Sequence, residues 1–354
     1  MTLPPLFSGR KQRDQIVAID LGSRTTKGIL LQRRDNQFSL ARYTIQDAPI
    51  YERGLSPALL SEHLRTVFHA LDSKTKVVTL AVGPTEALMR RTELPLIPIS
   101  EMRQMIKHNT KNYLQQDLPD HVFDCFILPP KEFAKIDPAK TTAPKYKVWV
   151  GGAKAQVLTD IQTAIRSAGL IADQVSPAIL GPVNAFELAQ PELFAKEIVA
   201  LVDLGFRNST INILLQGELV LSRVVGMGGD RLTSGLAEAL SISYAEAEGL
   251  KVGMPGEVEG SLQPLLAPLG QELRASLNFF EHEHDKTVGE VYLSGGGARS
   301  DFIIQALQTE LMVSCKHWNP LAHLQLALPP NQMAEVDQIT SQLAVAAGAA
   351  AASV

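Results

Sequence analysis

Two short segments of the chain place a carboxylate, a glycine and hydroxyl side chains at the end of an apolar run. Residues 16–28 read Ile-Val-Ala-Ile-Asp-Leu-Gly-Ser-Arg-Thr-Thr-Lys-Gly, and residues 198–214 read Ile-Val-Ala-Leu-Val-Asp-Leu-Gly-Phe-Arg-Asn-Ser-Thr-Ile-Asn-Ile-Leu. Each segment predicts a β-hairpin with a polar tip, in which Asp20 or Asp203 ends the first strand. A carboxylate in that position is costly unless a cation compensates it, and Mg²⁺ bound through water would do so.

The same segments have the chemistry to bind phosphate. A glycine after the aspartate lets the backbone approach a ligand closely, and backbone amides, hydroxyls and an ammonium can donate to phosphate oxygens. The predicted phosphate contacts are Gly22, Ser23, Thr25, Thr26, Lys27, Gly205, Asn208, Ser209 and Thr210. Taken singly, such a segment is more typical of a simple polar hairpin turn than of a phosphate site.

The repetition strengthens the phosphate interpretation. When Asp20 is aligned with Asp203, the apolar strand, the Asp-Leu-Gly and a hydroxyl-bearing turn all match. An internal duplication of this kind predicts two similar lobes whose hairpin tips meet at a cleft. Two carboxylates would then converge on one site suited to a metal triphosphate.

Two further features of the second half are candidates for ligand contacts. Three glycines, Gly295, Gly296 and Gly297, separate a predicted strand from a predicted helix, with Arg299 just beyond them. Such a turn lets backbone lie flat against a ligand, although it also suits a tight strand-to-helix crossover. Glu248 and Lys251 lie three residues apart on another predicted helix.

Composition narrows the class of protein. The chain has 354 residues, 45% of them hydrophobic and 20% charged, with a formal charge of −4. These values are typical of a globular protein with two substantial cores, and without a basic run nucleic acid is not a predicted partner. Cys125 and Cys315 are predicted to be buried free thiols. The absence of a long apolar segment predicts a cytoplasmic protein without direct membrane insertion.

The segments around the hairpins predict the elements that position them. A strand at 38–45, a helix from Pro57 and a strand at 77–82 complete a β-β-β-α-β unit with the first hairpin. Residues 85–176 predict an inserted lobe with β-α-β-β-α-β order. A connecting helix from Pro177 then leads to the second copy.

In this order the pieces resemble the actin, Hsp70 and FtsA superfamily of nucleotide-binding proteins. The matching segments are residues 20–27 and 203–210 for phosphate, residues 293–299 for adenosine, and the Glu-x-x-Lys pair at Glu248 and Lys251. Within the superfamily the chain is similar to the PilM family of type IV pilus assembly. The motifs that carry this are Glu93-Leu94-Pro95, Ile97-Pro98, Glu101-Met102-Arg103, Tyr113-Leu114, Val122-Phe123-Asp124, Ser222-Arg223, Gly228-Gly229 and Asn319-Pro320.

The resemblance implies an α/β actin-like ATPase fold, with duplicated ribonuclease H-like lobes and an FtsA/PilM-type inserted subdomain. The implied first lobe is 14–84 and 177–197, with helix 340–353 packing back near the lobe junction. The inserted lobe is 85–176, the second lobe is 198–236 and 287–339, and a helical subdomain is 237–286.

For function, the resemblance implies binding of ATP with Mg²⁺ held through Asp20 and Asp203. Glu248 and Lys251 would contact the adenosine end, and Gly295 to Gly297 with Arg299 would form the adenosine motif. Hydrolysis is expected to be weak or absent, because the connecting segment 177–184 offers no Glu, Asp or Gln to orient a water. Phe206 and Arg207 depart from the pattern, since smaller residues are usual in that turn.

The partner implied by the resemblance is the N-terminal cytoplasmic tail of a PilN-like inner-membrane protein, held between the inserted and first lobes. The apolar stretch Leu94, Leu96, Ile97 and Ile99 is the predicted contact, because periodicity does not assign it to a core face. Seating the lobe on its neighbour is an equally good explanation of that stretch. Pilus motor ATPases and self-association are further expected contacts, and the protein would be peripheral to the inner membrane through its partners.

Three other functions compete with this one: a related type II secretion-like role, an FtsA-like division protein and a small-molecule kinase of the same superfamily. The kinase needs a catalytic carboxylate on the substrate side, and the bare connecting helix argues against it. The division protein should end in a basic amphipathic helix, whereas residues 344–354 are rich in alanine.

Overall fold

The computed structural model describes residues 13–34, 37–50, 55–128 and 145–353. Its strands are β1 (Gln15–Leu21), β2 (Thr25–Arg34), β3 (Gln37–Asp47), β4 (Val77–Val82), β5 (Ala87–Pro95), β6 (His121–Ile127), β7 (Lys145–Lys154), β8 (Ile171–Pro177), β9 (Ile198–Leu204), β10 (Ser209–Leu215), β11 (Glu218–Val225), β12 (Glu290–Ser294), β13 (Ser314–His317) and β14 (Gln325–Leu326).

The helices lie mostly on the faces of these strands. They are α1 (Pro57–Leu71), α2 (Ile99–His108), α3 (Thr110–Leu114), α4 (Ala155–Ser167), α5 (Gly181–Ala189), α6 (Pro191–Lys196), α7 (Gly229–Leu240), α8 (Tyr244–Gly253), α9 (Pro255–His284), α10 (Asp301–Leu311), α11 (Pro330–Ile339) and α12 (Ala344–Ala351). Short 3₁₀ turns precede α5, α10 and α12. Within the described ranges, no helix has both the length and the apolar character needed to span a membrane.

Two sheets of the same design form the two lobes. The first has the order β14-β3-β2-β1-β4-β8 and the second β11-β10-β9-β12-β13. In both sheets the first three strands along the chain are antiparallel, each to its neighbour. The first of the three, β1 or β9, then pairs in parallel with a later strand, β4 or β12. β1 and β9 are apolar nearly throughout because helices cover both faces of each sheet. The duplication predicted from the two Asp-Leu-Gly segments therefore extends through five strands of each lobe.

The inserted lobe is smaller than the sequence pattern predicts. A three-stranded sheet, β5-β7-β6, carries α2 and α3 and encloses its own core. The remaining predicted elements, α4 and β8, belong to the first lobe, since β8 pairs with β4 and α4 shares a core with α1. This corrects the boundary at 176 to about Lys154. The physical reason is that the buried strand β4 needs a parallel partner on its outer side.

The end of the chain also returns to the first lobe earlier than predicted. β14 pairs with β3, and the side chains of Trp318, Leu321, Leu328 and Val336 are buried in the core beneath β1 and β2. The segment from about 318 to 339 was expected in the second lobe and is corrected accordingly. β14 protects the outer edge of the first sheet, which would otherwise leave backbone groups unpaired.

The inserted lobe also contacts the second lobe directly. Arg91 on β5 donates to the carbonyl oxygen of Val220 at 2.8 Å and lies 3.3 Å from a Glu218 carboxylate oxygen. The indole N–H of Trp149 on β7 donates to the carbonyl oxygen of Leu219 at 3.0 Å. The inserted lobe is therefore bonded to the start of β11, at residues 218–220.

Close contact between α5 and α12 joins the C-terminal helix to the segment that connects the lobes. A Cβ added at Gly348 would overlap the carbonyl oxygen of Gly181, and one added at Gly181 would lie 2.6 Å from the Cα of Val345. Only glycine permits the two backbones to approach so closely.

We therefore expect Gly348→Ala to lower the free energy of unfolding by about 1–3 kcal/mol, because the helices must separate to accept the methyl group. Chemical denaturation monitored by circular dichroism would measure this. Gly260→Ala is the matched control, since Gly260 lies on α9 with open space around it and should gain about 0.4–1 kcal/mol. Equal stability of Gly348→Ala and wild type would contradict the close packing.

Candidate functional site

Asp20 and Asp203 lie at equivalent positions at the ends of β1 and β9. Asp20 is 5% exposed, and one of its oxygens lies 3.3 Å from the Nζ of Lys27, its cross-strand neighbour on β2. Asp203 accepts a hydrogen bond of 2.8 Å from the hydroxyl of Ser294 on β12. The two hairpin tips face each other, because the guanidinium carbon of Arg24 in the first lies 4.9 Å from the centroid of the Phe206 ring in the second. The charges of Lys27 and Asp20 also affect the pKa of Asp203.

This arrangement places one ammonium against Asp20 and within electrostatic range of Asp203, in a desolvated setting. Burial raises the pKa of both Asp20 and Asp203, and the opposing effect of Lys27 is smaller in each case. The Asp20 carboxylate raises the pKa of Asp203 further. Because the pair carries more negative than positive charge and offers only oxygen donors, its chemistry fits a hydrated Mg²⁺.

Strand alternation decides which hairpin side chains can face these carboxylates. Lys27 is paired with Asp20, and Thr210 with Asp203, so both lie on the aspartate face of their hairpins. The Oγ1 of Thr210 is buried and has no hydrogen-bond partner among the described residues. A bound oxygen ligand would supply one. Thr25, two residues before Lys27, lies on the same face.

Two predicted phosphate contacts are corrected by the same alternation. The Thr26 hydroxyl lies on the opposite face, 2.7 Å from a ring nitrogen of His63 on α1. The Ser209 hydroxyl is fully buried and donates to the carbonyl oxygen of Met227 at 2.7 Å. Neither hydroxyl is turned toward the carboxylates, because a strand residue next to one on the cleft face points to the other side of the sheet.

Both hairpin turns require glycine after the aspartate. A Cβ at Gly22 would lie 2.5 Å from the Thr25 carbonyl oxygen and 2.9 Å from the Lys27 ammonium, and one at Gly205 would lie 2.5 Å from the Asn208 carbonyl oxygen. Ser23 is exposed at the first tip.

The second turn is also held by α7. The amides of Gly229 and Asp230 donate to the carbonyl oxygens of Gly205 and Phe206 at 3.0 and 2.9 Å. These first amides of α7 are therefore used in packing. The glycines before α7 allow the helix to approach the second turn closely, since a Cβ at Gly228 would overlap the Phe206 carbonyl oxygen.

Glu248 and Lys251 form an ion pair with a distance of 2.7 Å beside α7. Lys251 also donates to the carbonyl oxygen of Gly229 at 3.1 Å, and the Thr233 hydroxyl lies within hydrogen-bond distance of both members of the pair. The predicted pair is therefore fixed next to the second hairpin through Gly229.

Arg24 and Phe206 are functional candidates that the sequence interpretation missed. An Arg24 nitrogen lies 3.5 Å from a Glu248 oxygen, and the guanidinium carbon lies 4.9 Å from the centroid of the Phe206 ring. The only sequence signal was the unusual size of Phe206 in its turn. Asn208 of the second turn reaches Thr85 in the first half at 3.5 Å.

The glycine turn after β12 lies beside Asp203, since Ser294 is the β-sheet neighbour of that residue. Gly295 has a φ of +88°, and its amide donates to the carbonyl oxygen of Ser341 at 2.8 Å. A Cβ at Gly297 would lie 2.8 Å from the Leu204 side chain, whereas Gly296 is exposed with open space around it. Gly296 is thus the glycine whose backbone a ligand can reach.

Arg299 lies in a different environment from the Glu248–Lys251 pair. It is exposed and lines a cavity of about 590 Å³ together with Ala298, residues 317–319, residues 337–338 and residues 340–341. The structure therefore associates Arg299 with the C-terminal segment, and the predicted role of its side chain with adenosine gains no support from these contacts.

The predicted partner stretch is divided between core and surface. Leu94 is 0% exposed and packs with Met102 and Val148, so its assignment as a partner contact is wrong. Leu96 is 57% exposed, whereas Ile97 and Ile99 are partly buried against the core of the inserted lobe. The proline at 95 ends β5, so strand alternation could not be continued from Leu94 to the residues after it.

A larger groove lies at the opposite end of β5. It has a volume of about 900 Å³ and is lined by residues 84–88, Arg90, residues 116–121, Gly152 and residues 154–156. β5 has 9 residues, so at about 3.3 Å per residue its two ends lie roughly 26 Å apart. The groove runs between the start of the inserted sheet and α4 of the first lobe.

Comparison with known proteins identifies relatives of this architecture. The family model described as type IV pilus assembly protein PilM matches residues 18–354. A solved PilM-PilN type IV pilus biogenesis complex has a TM-score of 0.80 and 21% identity, covering 96% of this chain and 98% of that one. MreB5 of Spiroplasma citri bound to AMPPNP has a TM-score of 0.52 and 10% identity, covering 96% and 95%.

A curated relative matches over a shorter region. Cell division protein FtsA of Rhizobium meliloti (strain 1021) is 31% identical over 117 residues, which cover 32% of this chain. The match spans 25% of the length of that relative. The structural relatives show that the fold is that of the actin-like ATPases.

The raised pKa of Asp203 predicts an unusual pH dependence of stability. Because the folded protein holds the Asp203 proton more tightly than the unfolded chain does, the contribution of Asp203 to stability falls as the pH rises through that pKa. Asp203→Asn keeps an oxygen for Ser294 and removes the charge. We expect it to raise the melting temperature at pH 8 without ligand, and the gain to shrink as the pH approaches about 4.

Differential scanning calorimetry between pH 4 and pH 8 would measure the effect. Asp72→Asn is the control, because the Asp72 side chain is 76% exposed at the end of α1. A gain for Asp203→Asn that does not change with pH would show that desolvation of the carboxylate is not its cause.

Proposed function

Because the chain belongs to the family of the type IV pilus assembly protein PilM, we propose that it is an ATP-binding scaffold of pilus assembly that recruits the cytoplasmic tail of a PilN-like inner-membrane protein. Two separate regions support the two parts of this proposal. The hairpin tips support nucleotide binding, and the groove beside the inserted lobe supports partner binding.

The observation that carries the nucleotide proposal is the meeting of Asp20, Asp203 and Lys27 at the lobe junction. Bound Mg²⁺ would offset the negative charge of the two carboxylates and of the phosphates. Asp20 and Asp203 would hold it through water, and Lys27 and Thr210 would face the phosphates. The related MreB5, which shares the fold, is bound to AMPPNP.

The remaining residues would bind the rest of the nucleotide. Glu248 and Lys251 lie on α8 beside the second hairpin and have donors and acceptors suited to ribose hydroxyls. The backbone at Gly296 is open to a flat ring. With a nucleotide held by both lobes and by α8, binding would favour the conformation in which the lobes are close together.

We propose that hydrolysis is slow. The segment that connects the lobes offers one polar side chain before its second turn, Asn184, whose amide nitrogen donates to the carbonyl oxygen of Gly348 at 3.3 Å. A carboxamide is not basic, so Asn184 cannot act as the general base. The same lack of a carboxylate disfavours the small-molecule kinase alternative.

The partner proposal rests on the groove at the start of β5. Its walls come from the inserted lobe and from α4, so an extended peptide could contact both. Its lining carries both signs of charge, with Glu86 and Asp120 as acidic residues and Arg90 and Lys154 as basic ones. A matched solved structure is a complex of PilM with PilN, which supports a tail of that class. The family match over residues 18–354 favours pilus assembly over division.

We expect MgATP at about one hundred times its dissociation constant to stabilise the protein by roughly 2.7 kcal/mol, because the nucleotide binds only the folded state. Thermal unfolding with and without MgATP, repeated with EDTA, would measure this. Asp20→Ala and Asp203→Ala should lose the stabilisation, whereas Asp72→Ala should keep it. An unchanged melting temperature in wild type at millimolar MgATP would refute the site. Phosphate release by wild type well above background, abolished in Asp203→Ala, would refute slow hydrolysis.

A second experiment distinguishes two possible binding sites for the peptide, the groove at the start of β5 and the exposed tip of the inserted lobe at Leu96. A synthetic peptide with the N-terminal tail of the cognate PilN-like protein should bind wild type and Leu96→Glu equally. It should bind Arg90→Glu about ten-fold more weakly or worse, because Arg90 lines the groove and its charge is reversed. Both side chains are exposed, so both variants should fold. Fluorescence anisotropy would measure the affinity, and the reverse order would assign the peptide to the tip.

A further inference from the structure

Arg24 joins three separate elements at the tip of the first hairpin. Its backbone carbonyl accepts a hydrogen bond of 2.8 Å from the amide of Ala48, which fixes the turn in the first lobe. Its guanidinium carbon lies 4.9 Å from the centre of the Phe206 ring in the second hairpin. One guanidinium nitrogen lies 3.5 Å from Glu248 on α8. The side chain is 42% exposed, so it is reachable from solvent.

The neighbouring cations are more strongly engaged than Arg24. Lys251 lies 2.7 Å from Glu248 and donates to a backbone carbonyl, and Lys27 lies 3.3 Å from Asp20 with most of its side chain buried. The distance of 3.5 Å from Arg24 to Glu248 is the longest of these three ion pairs. If Arg24 turned away, Glu248 would still be paired with Lys251. Arg24 can therefore change partner without leaving a carboxylate unpaired.

We propose that Arg24 is a phosphate-binding residue that exchanges Glu248 for the phosphate chain of the nucleotide, with the Phe206 ring as the platform that positions its guanidinium. The inference rests on the proposed binding of MgATP. A guanidinium presents a planar fork of donors that matches phosphate oxygens, and it stacks on aromatic rings as a lysine does not. This role would explain why a residue as large as Phe206 occupies a turn where a smaller one would fit.

Isothermal titration calorimetry with MgATP tests the role of Arg24. Arg24→Ala should weaken binding by about 10- to 100-fold, the usual effect of losing a charge-assisted hydrogen bond. Arg24→Lys should recover part of the affinity, since it restores the charge without the fork. Arg42→Ala is the matched control, because Arg42 is similarly exposed on β3 and pairs with Asp72 away from the hairpin tips; its affinity should equal that of wild type.

A double-mutant cycle tests the platform. Phe206→Leu keeps the apolar volume and removes the aromatic face, so it should weaken MgATP binding about two- to five-fold when Arg24 is present. In the Arg24→Ala background it should have no effect, because the ring acts only through the guanidinium. An equal effect of Phe206→Leu in both backgrounds would overturn the positioning role.

The outcomes separate this inference from the function on which it rests. Absence of MgATP binding to wild type would refute the proposed function and the inference together. Binding to wild type with an affinity that Arg24→Ala leaves within two-fold would refute only the inference. Melting temperatures measured without nucleotide complete the test, since an affinity loss that merely follows a loss of folded protein would also refute it.

Discussion

The lobe junction is organised around two like charges that a single ammonium cannot balance. Asp20 and Asp203 end the central strands of two sheets, and burial raises the pKa of each despite the nearby Lys27. In a protein without a polyvalent ligand such an arrangement would be replaced readily by neutral side chains. The glycine turns and the packing of α7 against the second hairpin maintain it. The structure thus keeps a costly charge pair that a bound cation would compensate.

The duplicated lobes were predictable because the repeated residues are those that a strand end and a tight turn require. In each hairpin an apolar run leads to an aspartate and then a glycine, and the cross-strand partner follows the aspartate by seven residues. Lys27 and Thr210 therefore take equivalent places. The rest of the first sheet was less predictable. The side chains of β8 do not alternate between buried and exposed. The strand belongs to the first lobe because it pairs with β4, which is far away in sequence. Local pattern carries no information about such a partner.

The errors in the candidate site have a shared cause. Residue types indicated hydroxyls at Thr26 and Ser209, but strand alternation turned them to His63 and Met227. Leu94 belonged to the regular alternation of β5 and was buried, while Leu96 lay beyond the proline that ends the strand. The contact of Arg24 with Phe206 and Glu248 joins residues that are distant in sequence and departs from the expected turn composition. Spacing therefore identified the carboxylates and glycines better than it identified the side chains around them.

The inserted lobe is attached in a way that links its position to both halves of the molecule. The inserted lobe is connected at both ends to elements of the first lobe. Arg91 and Trp149 nevertheless donate to backbone carbonyl oxygens on the edge strand of the second lobe. A rotation of one lobe against the other must either break these bonds or move the inserted lobe with the second. The groove wall contributed by the inserted lobe would then shift against the wall contributed by α4. Hydrogen bonds to backbone atoms make this attachment sensitive to geometry, since the edge of β11 cannot adapt as a long side chain can.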